Sequence, residues 1–278
     1  MQSLKEFSTE CGTFCVDTEK DRLMTSVLAT DTCVQKDVLD VLLAFTKPGD
    51  TFVDIGAHIG TVSIPMALKG AKVISFEPSD DAFPLLTSNA KLNNVSIDIR
   101  KKGVGEKRGD ATLQTGVKGN AGSRSLVEGG DVVVVPLDDE ITHADTIKID
   151  VEGMELYVLR GAEQLITKSQ PIIVFEMNGI QMSFYKTKIQ SVESFFRDHG
   201  YRLFLNKKGT LWEIGSLSLV TRLQFPGSLF GRGYLFDTVA IPIGREIPLP
   251  VLGVSNTLLS IIGRKTKDLA HRYFAIKI

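Results

Sequence analysis

The stretch TFVDIGAHIGTVSIPMALKGAKVISFEP, Thr51–Pro78, decides the fold. Thr51–Ile55 reads as an apolar strand with Asp54 near its carboxyl end. Gly56, Ala57 and Gly60 follow in a turn, and a short helix leads to a second strand at Lys72–Phe76. Glu77 and Pro78 sit just beyond that second strand. In open α/β sheets, the crevice outside such strand ends takes a nucleotide-like ligand, and an acid at the second strand end accepts hydrogen bonds from ribose hydroxyls. The start of the helix presents free N–H groups to any anionic part of that ligand.

Glycine spacing separates the candidate ligands. A dinucleotide fingerprint is G-x-G-x-x-G, whose glycines make room for a pyrophosphate. Here the pattern is D-x-G-A-H-x-G, with an acid ahead of the first glycine. That acid repels a pyrophosphate and suits a cofactor bearing an ammonium group, as S-adenosylmethionine does. The competing reading of the loop alone is a ligand-free strand–turn–helix connection. Glu77 at the next strand end weighs against it.

The 278 residues are near the upper limit of what one hydrophobic core supports, so one α/β domain with terminal extensions is expected. We place an N-terminal cap at 1–48, a cofactor-binding domain at 49–243 and a C-terminal extension at 244–278. A net charge of -1 speaks against a general nucleic-acid-binding role. Cys11, Cys15 and Cys33 form neither a disulfide framework nor a zinc pattern, so reduced thiols in a cytoplasmic protein are expected. The start, MQSLKEFSTE, has no apolar core segment of a signal peptide. Ile247–Ile262 is interrupted by Pro248, Pro250, Gly253 and Asn256 and falls short of the roughly 20 apolar residues of a membrane span.

In chain order, Asp37–Phe45 has helical apolar spacing and ends in the turn Lys47–Asp50. Such a preceding segment covers the site in many two-substrate α/β enzymes. Ser79 is the expected N-cap of a helix from Asp80 to about Leu92. Pro65 and Pro84 lie inside their helices, where a lost hydrogen bond and local irregularity are expected. Ser96–Arg100 reads as a third strand, with Lys102–Glu106 as the loop at its end. Gly103 and Val104 of that loop would border an adenine ring. Ala111–Gln114 and Val132–Val135 read as strands around the Gly116–Gly130 loop. Its segment Asn120–Ser125 is either near the site or an ordinary hairpin connection.

A second informative stretch is DTIKIDVEGMELYVLRGA, Asp145–Ala162. Thr146–Ile149 is an apolar strand carrying Lys148, with Asp150 and Glu152 just beyond it. Acids this close to an apolar sheet are expensive unless paired or solvated in a cleft, although one of them is expected merely to cap the next helix. Pro171–Phe175 is a fifth strand with Glu176 at its end. Lys188–His199 is a helix, and Tyr201–Leu205 and Asp237–Ile241 form a closing antiparallel hairpin.

These residues resemble the FkbM-type S-adenosylmethionine-dependent methyltransferases. The matching segments are DIGAHIG (Asp54–Gly60), FEP (Phe76–Pro78), GVGEKRGDATL (Gly103–Leu113), VPLDD (Val135–Asp139), IKIDVEGMELYVLRGA (Ile147–Ala162) and PIIVFE (Pro171–Glu176). The resemblance runs from about Thr51 to Tyr201. It implies the Rossmann-like, seven-stranded class I methyltransferase sheet with N-terminal and C-terminal extensions. It also implies that Asp54 and the Gly56–Gly60 loop hold the methionine end of the cofactor, Glu77 and Pro78 the ribose, and Gly103–Gly105 the adenine. Asp150 and Glu152 would lie beside the reactive methyl group. His58 stands where the family usually has asparagine and can still donate and accept. The implied acceptor is a small molecule or glycan bearing a hydroxyl, and the product of the cofactor is S-adenosylhomocysteine.

Methyl transfer of this kind is an in-line displacement needing the acceptor oxygen within roughly 3–3.5 Å of the carbon. A carboxylate can take the hydroxyl proton. Asp150 is the first candidate, then Glu152 and Glu176. His58 and His143 are weaker, and His143 has no partner visible in the sequence. Asp138, Asp139, Asp150 and Glu152 are oxygen donors of the kind magnesium accepts, but their spacing defines no metal site. The alternatives are a non-catalytic cofactor-binding partner protein and an NAD-dependent oxidoreductase or epimerase. The second lacks its glycine fingerprint. The acceptor and the oligomeric state are not written in the sequence.

Overall fold

The computed structural model describes residues 3–115, 124–217 and 235–253. The chain begins with a hairpin of β1 (Leu4–Thr9) and β2 (Gly12–Asp17), followed by helices α1 (Arg22–Leu28) and α2 (Lys36–Phe45). Alternation then sets in, with β3 (Thr51–Ile55), α3 (Ser63–Leu68), β4 (Lys72–Phe76), α4 (Ala82–Leu92) and β5 (Ile97–Arg100). Short strands β6 (Gly103–Val104), β7 (Gly109–Thr115), β8 (Arg124–Glu128) and β9 (Val132–Val135) come next. The second half runs β10 (Thr146–Ile149), α5 (Glu155–Arg160), α6 (Glu163–Ser169), β11 (Ile172–Asn178), α7 (Gly179–Phe184) and α8 (Ile189–Asp198). It closes with β12 (Tyr201–Lys207), β13 (Thr210–Ile214), β14 (Leu235–Pro242) and β15 (Val251–Leu252).

The main sheet has the order β15-β13-β12-β14-β11-β10-β3-β4-β5. It therefore has nine strands among the described residues, where seven are expected. The strands from β5 to β11 are parallel. β14 lies antiparallel between β11 and β12. β12 and β14 are neighbours as expected, but they are not joined as a hairpin. The hairpin partner of β12 is β13, because Lys208 and Gly209 at positive φ turn the chain tightly between them. Chain order reverses between β3 and β10, and this is where open α/β sheets place their ligands.

Helices cover both faces, which explains the near-continuous apolar runs in the parallel strands. On one face, α5, α6 and α8 pack on Val53, Ile55, Ile147, Ile149, Ile173 and Phe175. On the other, Val38, Leu39, Val41, Leu42 and Phe45 of α2 pack on Phe52, Val174, Phe204 and Val239. The β1–β2 hairpin is fastened to α4 by side-chain amides. Asn89 Oδ1 accepts the Cys15 N–H at 2.7 Å, and Asn93 Oδ1 accepts the Thr13 N–H at 2.8 Å.

Several sequence expectations change here. The expected helical irregularity at Pro65 and Pro84 is absent, because both are the third residue of their helices. First-turn N–H groups have no intrahelical acceptor, so proline there removes nothing. Ser79 does cap, its Oγ accepting the N–H groups of Asp81 and Ala82, although regular helix begins only at Ala82. Cys11 and Cys33 are joined in a disulfide with Cα atoms 5.5 Å apart, contrary to the expected reduced thiols. Their separation of 22 residues hid the pairing, which the fold creates by folding the hairpin turn onto the segment before α2. Asn120–Ser123, within the candidate loop, and most of Ile247–Ile262 lie outside the described residues. No helix among those described is long and apolar enough to cross a membrane.

Candidate active site

A cavity of about 270 Å³ opens at the carboxyl ends of β3, β4, β10 and β11. Gly56, Ala57, His58, Glu77, Pro78, Gly103, Val104, Asp150, Glu152 and Glu176 all line it, so the fold gathers these sequence candidates at one place.

The turn after β3 depends on glycine at its two ends. Gly56 has φ of 80°, and a Cβ there would stand 1.9 Å from the Asp150 carbonyl oxygen. Gly60 has φ of 93° and a Cβ there would press on Leu86 at 2.6 Å. Both positions thus exclude side chains, by backbone conformation and by space. Gly60 supports the turn from behind and does not itself line the cavity. Within the turn, His58 adopts φ of 51°, and its N–H donates to Glu77 Oε2 at 2.8 Å. The Ser79 N–H donates to Glu77 Oε1 at 2.8 Å. Backbone donors therefore fix the orientation of the Glu77 carboxylate on both sides. The His58 ring points to Asp21, with Nε2 3.2 Å from Oδ2.

Asp54 is placed differently from expectation. It is fully buried and does not line the cavity. It shares a sheet row with Ser75 and Lys148. Its Oδ2 accepts the Ser63 hydroxyl at 2.6 Å, and its Oδ1 lies 3.3 Å from Lys148 Nζ. Its charge is thereby matched inside the sheet, one layer beneath the ligand, and reaches the cavity only through Lys148. On the other side, Lys148 Nζ lies 3.4 Å from Asp150 Oδ2. Burial opposes the charge of Lys148, and the two flanking carboxylates outweigh this and hold its pKa above the usual lysine range.

Asp150 also accepts the Gln35 Nε2 donor at 3.0 Å. Among the described residues, Glu152 and Glu176 have no such cation beside them. Burial first, and then the Asp150 charge, push Glu152 up to about 7, partly offset by a hydrogen bond from Gln181. Burial, Asp150 and Glu152 push Glu176 up to about 8. Glu176 lies within β11 rather than after it, because that strand continues to Asn178 against β14. Neither Asp150 nor Glu152 caps α5. Its N-cap, Met154, makes no side-chain cap bond, and Glu155 Oε1 accepts the Gly153 N–H just ahead of the helix at 3.0 Å.

Other candidates fall away from the cavity. His143 pairs with Asp145, Nε2 to Oδ2 at 3.2 Å, before β10 and so at the opposite edge of the sheet. Asp138 accepts the N–H groups of Gln164 and Leu165 at the start of α6, and Asp139 pairs with Arg108 at 3.0 Å. Both are too far committed elsewhere to join Asp150 and Glu152 around a cation. Among the described residues, the one group of three acid, thiol or imidazole ligands within metal-binding reach is Glu10, Cys11 and Cys33.

Sequence reasoning expected a cap over residues 1–48 but named none of the residues that roof the cavity. Met24, Val34 and Gln35 come from the N-terminal segment, and Leu113 and Leu126 from the β7–β8 hairpin. Long-range packing alone brings these to the strand tips. Lys148 did carry a signal, being a lone cation in an apolar strand that can be buried only if paired.

An open sheet wound on both faces, with a cleft over its crossover point and acids at its strand tips, defines a Rossmann-like ligand-binding α/β protein. The chain belongs to the FkbM methyltransferase family: the methyltransferase FkbM domain matches residues 54–203. The hexuronic acid methyltransferase AglP of Haloferax volcanii is 28% identical over 147 residues, which cover 50% of this chain and 61% of that protein. The match thus spans less than two thirds of that relative's length. The methyltransferase FkbM of Methylobacillus flagellatus is a structural neighbour with a TM-score of 0.42 at 18% identity, covering 70% of this chain and 44% of that one. TYW2 of P. horikoshii, solved in complex with MeSAdo, gives 0.46 at 16% identity over 87% of this chain and 72% of that one.

Proposed function

We propose that this FkbM-family methyltransferase uses S-adenosylmethionine to methylate a hydroxyl group on a sugar, glycan or secondary metabolite. The observation that carries the reading is the charge of the cavity. Glu77, Asp150, Glu152 and Glu176 face it, the last two only partly charged near neutral pH, while its buried cation, Lys148, is already held between Asp54 and Asp150. Its other lysine, Lys102, is 2.9 Å from Glu140. Such a lining suits a ligand carrying positive charge and opposes a pyrophosphate. The hexuronic acid methyltransferase among the relatives supports a sugar-like acceptor.

In this reading Glu77 accepts the ribose hydroxyls, Val104 flanks the adenine and the Gly56–His58 turn receives the methionine end. The bound cofactor supplies a methyl group on a positively charged sulfur. The protein aligns the acceptor oxygen and removes its proton. Asp150, first in order on sequence grounds, is engaged by Lys148 and Gln35, which makes it a positioning group. Glu152 and Glu176 have proton affinities matched to neutral pH, as a general base requires. Either can take the hydroxyl proton as the new bond to oxygen forms. We further propose that residues 1–48 act as a cap on a 49–243 cofactor-binding unit in a cytoplasmic protein.

Calorimetric titration with S-adenosylmethionine tests the reading. Binding to the wild-type chain that is lost in Glu77→Ala supports it. A wild-type chain that binds no S-adenosylmethionine sinks it. Transfer of labelled methyl groups to a panel of hydroxylated sugars then tests the acceptor class.

A further inference from the structure

We infer that Gln35 is a positioning residue for Asp150 and that the Cys11–Cys33 disulfide keeps it in place, so that cofactor binding depends on the thiol state. This rests on the methyl-transfer reading of the cavity.

Gln35 occupies the left-handed region at φ 51° immediately before α2. A residue of this type is held there only when its surroundings fix it. Its carboxamide donates to Asp150 Oδ2 at 3.0 Å, across 115 positions of sequence. Two residues earlier, Cys33 is bonded to Cys11 in the β1–β2 turn. That hairpin is a firm anchor, since Asn93 Nδ2 donates to the Thr13 carbonyl at 2.6 Å and Asn89 Nδ2 to the Cys15 carbonyl at 3.1 Å. Val34, between Cys33 and Gln35, lines the cavity together with Gln35. The disulfide thus connects a hairpin fastened to α4 with the short segment that roofs the site.

Beyond the disulfide, that segment meets the hairpin through Val34, buried in one cluster with Phe7, Phe14 and Val16, and through an ion pair between exposed side chains, Lys36 Nζ to Glu10 Oε1 at 3.9 Å. Exposed pairs at that distance contribute little. Reduction by a dithiol breaks the S–S bond, and two electrons and two protons convert Cys11 and Cys33 to thiols while the dithiol closes to its own disulfide. The covalent tie on the segment is then gone, leaving Gln35 held by its carbonyl's bonds to the Val38 and Leu39 N–H groups and by the packing of Val34, and its hold on Asp150 loosens. In a reducing compartment a disulfide of this kind serves sensing rather than permanent bracing.

Hydrogen exchange of the full chain, with and without dithiothreitol and with no cofactor added, tests the tether. Reduction is expected to speed exchange in peptides covering 33–39 and 149–155 and to leave 172–178 unchanged. Unchanged exchange at 33–39, or a uniform rise throughout the chain, overturns the inference. Affinity for S-adenosylmethionine tests the consequence. It should fall about tenfold to a hundredfold on reduction and equally in Gln35→Gly, the range expected for one hydrogen bond to a charged group. Glycine satisfies the backbone at this position and lacks the carboxamide, so wild-type affinity in Gln35→Gly would show that the backbone alone matters and would refute the positioning role. If the oxidised wild type binds no S-adenosylmethionine, the methyl-transfer reading fails, and the exchange experiment still decides the tether.

Discussion

Glu176 and Asp237 are register partners on the antiparallel strands β11 and β14, so their carboxyl groups share one face of the sheet. Both are pushed upward, Glu176 to about 8 and Asp237 to about 6, in each case first by burial and then by the Asp150 charge. Two acids brought together beneath a cavity cannot both ionise without cost, and their titration adds to that of Glu152.

Stability should fall as pH rises. A carboxyl whose folded pKa is raised binds more protons in the folded than in the unfolded state between the two values. For Glu176 the penalty is absent below about 4.5 and complete above about 8. Glu176→Gln removes it, so the melting temperature of the variant relative to wild type should climb across that window and level off above it. The gain at high pH is on the order of a few kcal/mol. A difference that is flat with pH would show that Glu176 titrates normally.

Methyl transfer should rise with pH through about 7 to 8 if Glu152 or Glu176 takes the acceptor proton. Replacing the responsible group by glutamine should lower the rate constant by about 10²–10⁴-fold. Initial rates of labelled methyl transfer over pH 5–9, at saturating cofactor, make the comparison. Should both Glu152→Gln and Glu176→Gln keep the wild-type rate, alignment alone drives the reaction.

Glu77→Gln keeps the side-chain shape while removing the charge that the His58 and Ser79 N–H groups orient. If Glu77 holds the ribose, loss of this charged acceptor should weaken S-adenosylmethionine by roughly 1.5–3 kcal/mol, about tenfold to a hundredfold. Calorimetry measures this directly. The glutamine NH2 also faces one of the two backbone donors, so the melting temperature without ligand should drop as well, and affinities are compared where both proteins are folded.

Lys148→Met leaves Asp54 charged and uncompensated inside the sheet. Removing one member of a buried pair typically destabilises by about 3–5 kcal/mol. Urea denaturation should show that loss, and Lys148→Met combined with Asp54→Asn should recover much of it. A double variant no more stable than the single one would mean that the pair does not act as a unit.

Local pattern was enough for the central elements. The strands at Thr51–Ile55, Lys72–Phe76 and Thr146–Ile149 lie where the apolar runs and their flanking turns put them. Glu77 and Glu152 reach the cavity because residues just beyond the ends of parallel strands in one sheet lie together, and Gly103 joins them from β6 of a smaller sheet. The β1–β2 hairpin was not legible, since its residues are half polar and its pairing is secured by Asn89 and Asn93 of a distant helix. The Cys11–Cys33 bond and the Gln35 contact with Asp150 were hidden for the same reason.

The sequence by itself determined which residues stand at the strand tips, because a continuous apolar run and a glycine turn act over a few neighbouring positions. Only the tertiary structure decided what charge each of those residues carries. Whether an acid is neutralised, as Asp54 is by Lys148, or driven toward its protonated form, as Glu176 is, depends on burial and on partners that chain folding brings from far away.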